Sequence, residues 1–103
     1  TVCGGITQLN KCFAIAEGHS KNLEIQSMGY TITQAANLHV ALAHHNCKFF
    51  EQFYPYESFE LASHTQIRTD KEGFVHAPEG NGLGVDMDWD AVKEASILSY
   101  VFE

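Results

Sequence analysis

The first half of the chain alternates helical and strand periodicities with connections of only a few residues, and this alternation limits the fold more than any other feature. From Ile6 to Gly18 the apolar residues Leu9, Cys12, Phe13 and Ala16 recur at helical spacing, with Gly18 as the stop signal. Leu23 to Ser27 reads as a strand, and Gly29 breaks it. A second helical pattern runs from about Thr33 to His44, where Ala35, Ala36, Leu38, Ala41 and Leu42 give a small-residue face suited to packing on a sheet. Lys48 to Glu51 is the next strand. Helix, strand, helix and strand joined by short links make parallel βα units with right-handed crossovers. Two strands are too few for such a sheet, which needs both faces covered and its edges paired. The chain, which starts at Thr1 without a leader-like apolar run, is therefore expected to continue upstream or to pair with a complementary chain.

Beyond Pro55 the periodicity weakens. Ile67 to Val75, around the turn Asp70-Lys71-Glu72-Gly73, predicts a hairpin. Asp88 or Asp90 is expected to cap a last helix reaching about Tyr100, with Trp89 anchoring it. Gly82 and Gly84 are expected to set the backbone of the returning tail. At 103 residues there is room for one domain at most. Six basic against 13 acidic side chains give a net charge of −7, which leaves no basic stripe for a phosphate backbone and argues against nucleic-acid binding. No stretch has the length to span a bilayer. Cys3, Cys12 and Cys47 are odd in number and form no CxxC pair, so neither a disulfide framework nor a zinc knuckle is expected, and the reducing cytoplasm is the expected compartment.

Gly4-Gly5-Ile6-Thr7 before a helix, Ala35-Ala36-Asn37-Leu38-His39 inside the next, Phe50-Glu51 ending a strand and Gly82-Leu83-Gly84-Val85 near the end together resemble the C-terminal part of the enolase superfamily, in its mandelate racemase and muconate lactonizing enzyme branch. The resemblance implies an α/β fold: residues 1–103 would be the C-terminal portion of a modified (β/α)8 barrel, from the end of its sixth strand through the eighth and a closing tail. A whole barrel takes about 250 residues. The capping domain, the lysine base and the three carboxylates that hold Mg2+ would all lie outside this chain. The implied chemistry is removal of the proton next to a carboxylate, through an enediolate, from a small hydroxy or sugar acid.

Barrel active sites gather at the C-terminal ends of strands, so geometry sorts the candidates first. Glu51 matches the glutamate that hydrogen-bonds the substrate carboxylate as charge develops there; a carboxyl group does this only when protonated, and Phe49, Phe50 and Phe53 are candidates for the apolar surround this requires. Gln26 stands at the usual histidine position, and an amide cannot move a proton. Ser27, Met28 and Tyr30 after the first strand, and Gln52, Tyr54 and Tyr56 after the second, are candidate pocket-lining and substrate-binding residues. His19, His44 and His45 follow helix ends and are expected to be structural, with His39 packed inside its helix.

The resemblance with glutamine at position 26 favours a lyase, an acid-sugar dehydratase type, over a racemase or epimerase. A relic without catalysis, or an assembly module, is the reading from a different class. A homo-oligomer is expected for the complete protein.

Overall fold

The computed structural model describes residues 3–101. In chain order the elements are α1 (Ile6–Gly18), β1 (Ile25–Gln26), α2 (Thr31–Ala43), β2 (Phe50–Glu51), a 3-10 turn (Tyr56–Phe59) and α3 (Trp89–Ala95). β1 and β2 pair in parallel, with Ile25 opposite Phe50 and Gln26 opposite Glu51. The mixed α/β order expected from the periodicity is present.

α1 has the expected bounds because its apolar stripe is also its packing face. Leu9 and Phe13 are buried together with Ile25 of β1 and Val40 and Ala41 of α2. Ala35 and Leu38, one face further round α2, close on Ile67 with Val75, Leu83 and Val85 of the tail, and Phe50 touches both clusters. Burial of each large side chain of this kind contributes about 1.5–3 kcal/mol. The histidines serve this scaffold. His44 stacks on Phe13 with ring centroids 4.4 Å apart and hydrogen-bonds Asn10, His45 lies 3.6 Å from Glu17, and His39 Nε2 meets the Leu83 carbonyl at 3.2 Å.

The sheet ladder is shorter than Leu23–Ser27 and Lys48–Glu51. The backbone amides of Lys48 and Phe49, which a longer ladder would use, donate instead to the Glu24 carboxylate at 3.1 and 2.8 Å. α2 starts two residues earlier than predicted: Gly29, at a φ of 133°, turns the chain so that Tyr30 becomes the N-cap, and the Gln34 amide closes the first turn on the Tyr30 carbonyl.

Three expectations in the second half are corrected. The segment Ile67–Val75 is not a hairpin of paired strands. Asp70 Oδ1 accepts from the amides of Glu72 and Phe74 at 2.8 and 2.9 Å, so a side chain takes the donors that a ladder would need. The last helix is capped by Asp88, which accepts from the amides of Asp90 and Ala91, but it ends at Ala95 and not near Tyr100. Ile97, Leu98, Tyr100 and Val101 find no packing face among the described residues, and a short helix without tertiary packing does not propagate. Trp89 is likewise 60 % exposed, on the wall of a groove of about 320 Å³ shared with Tyr30, Ile32, Leu61 and Met87, and is not a buried anchor. Gly84 behaves as expected: at a φ of 67°, a Cβ there would meet the Pro78 carbonyl oxygen at 2.7 Å.

Candidate functional site

Successive side chains of a strand point to opposite faces. Ile25 and Phe50 face the helices and the core, so their neighbours Gln26 and Glu51 emerge on the other face. Both are exposed, on a face that nothing in the described chain covers with core. Continuing with the same parity, Met28 is half exposed, Tyr30 follows at 54 % exposure, and both flank this face at the turn into α2. Tyr54 stands 84 % exposed beyond β2, edge-on to Tyr56 with centroids 5.7 Å apart.

Ser27 and Gln52 have the opposite parity, and their polar atoms are engaged within the scaffold. Ser27 is fully buried and its hydroxyl accepts from Asn37 Nδ2 at 3.3 Å. Gln52 Nε2 donates to the Ile67 carbonyl at 2.7 Å, while its Oε1 accepts from Thr69. The aromatic surround proposed for Glu51 does not form within this chain either. Phe50 packs into the core on the helix side, Phe53 packs on Phe59 at 5.4 Å, and Phe49 is 75 % exposed.

The loop after β2 is held by charge. Arg68 donates two hydrogen bonds to Glu60, at 2.8 and 2.6 Å, lies 3.3 Å from Glu57 and caps the Tyr56 ring at 5.5 Å. The Arg68 hydrogen bonds hold the Glu60 carboxyl below the usual carboxylate range. At the other end of the strands, burial pushes the Cys47 thiol up, and the neighbouring Glu24 carboxylate, 3.6 Å from the sulfur, adds to the shift.

Residues that sequence reasoning missed lie on α2. Thr31, Gln34 and Asn37 are buried polar side chains spaced by three, and all three reach loop or strand-end atoms. The signal was present as a polar stripe beside the small-residue face, but polar residues at helical spacing ordinarily mark the solvent side.

Among the described residues no group of three or more His, Cys, Asp or Glu side chains is arranged to hold a metal ion, so these residues do not fit the Mg2+ that the resemblance implies. Nor is any described helix long and apolar enough to cross a membrane.

Compared with known families, residues 1–91 match the enolase C-terminal domain-like family. The chain belongs to that family. A solved structure from Pseudovibrio sp., a protein assigned to the mandelate racemase/muconate lactonizing enzyme group, is 89 % identical and superposes with a TM-score of 0.93 over 98 % of this chain. The chain spans 27 % of the length of that relative. Among curated proteins, none matches. An enolase C-terminal domain-like chain with an open sheet face bearing Gln26 and Glu51 has its candidate chemistry where strands end and loops begin, in keeping with barrel enzymes at large.

Proposed function

We propose that this chain is the part of an enolase-superfamily lyase that contributes the ends of the seventh and eighth barrel strands, here β1 and β2, to a site that removes the proton next to the carboxylate of a hydroxy or sugar acid. The observation that carries the reading is the register pair Gln26–Glu51 on the uncovered face of the sheet. A base outside this chain takes the C–H proton and the electron pair moves toward the carboxylate; the pair then returns to expel the β-hydroxyl, which an acid outside this chain protonates so that it leaves as water, and the resulting enol tautomerises to the 2-keto acid. In this reading Glu51 hydrogen-bonds the carboxylate oxygen of the substrate on which charge builds. Gln26 orients a substrate hydroxyl and takes no proton. Mg2+ would be held by residues outside this chain, and no step assigned to this chain runs through a metal.

The name of the Pseudovibrio relative favours a second reading, racemisation. It requires a proton-transferring group on each side of the carbon, and the amide at position 26 cannot be one of them. The deciding experiment follows α-proton exchange into D2O by NMR in the full-length polypeptide, with D-gluconate and mandelate as probes: keto acid formed from D-gluconate supports the lyase, and inverted, α-deuterated mandelate supports the racemase. Glu51→Ala should lose about 10²–10³ in turnover, the usual cost of one donor to a developing oxyanion, while Glu51→Gln keeps a donor and most of the rate. An alanine variant as active as the wild type overturns the role of Glu51.

A further inference from the structure

A ladder of two residue pairs is a weak determinant of register, and a slip of one residue would turn Gln26 and Glu51 to the wrong face. Something beyond the backbone must hold the strand ends together. On α2, Gln34 is 7 % exposed and is engaged at both ends of its amide. Its Nε2 donates to the carbonyl of Gly29, in the turn that follows β1, at 3.0 Å. Its Oε1 accepts from Gln52 Nε2, immediately after β2, at 3.4 Å. Gln52 passes the connection on, donating to the Ile67 carbonyl at 2.7 Å and accepting from the Thr69 hydroxyl at 2.9 Å. The turn after β1, α2, the residue after β2 and the segment at Ile67 and Thr69 are thus joined through two side-chain amides, and an amide donates and accepts at once without carrying charge. A network anchored on a buried amide in this way is stiff, since breaking one of its bonds leaves the Gln34 amide buried with a partner missing.

We propose that Gln34 and Gln52 are positioning residues, which hold the C-terminal ends of β1 and β2 in register and so fix Gln26 relative to Glu51. The proposal rests on the reading of Glu51 given above. Neither glutamine touches substrate. Removing the link displaces Glu51 from the atom it serves, and a misplacement of about 1 Å costs up to about 100-fold in rate.

The test uses the full-length polypeptide with Gln34→Met, Gln52→Met and the double substitution. Methionine approximates the length of glutamine without its hydrogen bonds. Amide hydrogen exchange, which needs no substrate, should accelerate in the segments 25–29 and 50–54 while α1 is unchanged. With the probes above, kcat for α-proton exchange should fall by about 10- to 100-fold with KM held within about twofold, and the double variant should lose no more than the worse single one. Exchange that rises equally in α1, or losses that multiply, would overturn the proposal, since both describe general destabilisation. Full activity of both glutamine variants beside an inactive Glu51→Ala overturns the positioning role alone. Full activity of Glu51→Ala overturns the reading of Glu51 and the positioning role with it.

Discussion

Gln26 and Glu51 sit directly opposite one another across a parallel sheet whose other face is packed with Ile25 and Phe50. Side chains so paired share a face, so one small molecule lying across the strands meets both.

Gln26→His in the full-length protein is expected not to produce racemisation. A histidine base needs a carboxylate that orients the ring and stabilises its charged form. The residue in register with position 26 is Glu51, whose proposed work is to donate to substrate. Chiral chromatography of the recovered probe acid checks this, and racemised acid would show that a second carboxylate is already in place.

Glu24→Gln should make Cys47 more reactive. Burial is the larger cause of the raised thiol and stays, but the carboxylate charge is removed, so the thiolate fraction at a given pH rises. Iodoacetamide labelling of Cys47, followed by mass spectrometry across a pH series, should shift to lower pH. An unchanged profile would mean that Glu24 has no electrostatic hold on the sulfur.

Acid should loosen the second half of the chain before the first. The Arg68 hydrogen bonds hold Glu60 below its ordinary value of 4.5, and the Phe74 amide, then His76, holds Asp70 below its ordinary 3.8. A depressed carboxyl contributes stability that is complete above its unfolded value and is lost as pH falls through the folded one. Amide exchange at residues 57–76 should therefore rise below about pH 4.5 while α1 stays protected, and Glu60→Gln with Asp70→Asn should flatten that dependence.

Phe13→Ala should be the most costly single change in this chain. The ring is fully buried between α1, β1 and α2 and stacks on His44. Truncation of a buried aromatic costs about 3–5 kcal/mol. Chemical denaturation of the full-length protein measures it, and a loss under about 1 kcal/mol would mean that the site collapses to fill the cavity.

The bounds of α1 were legible because Leu9 and Phe13 lie on the face that packs. α2 was legible as a helix but not in its start, which depends on the backbone angle of Gly29. The 67–75 hairpin failed because Asp70 offers its own acceptor to the amides, a local competition that strand propensity does not register. That Gln26 and Glu51 are exposed and in register follows from their positions at the strand ends, and the two-residue period of a strand separates them from Ser27 and Gln52. Gln34 stayed hidden because its partners, Gly29 and Gln52, become neighbours only once the crossover is made.

Glu24 closes the N-terminal ends of the two strands by binding the amides of Lys48 and Phe49, ahead of Gln26 and Glu51 in each strand. None of its hydrogen bonds involves a side chain of the open sheet face. Exchange of the side chains at 26 and 51 therefore leaves untouched the clasp by which Glu24 ties the two strands together.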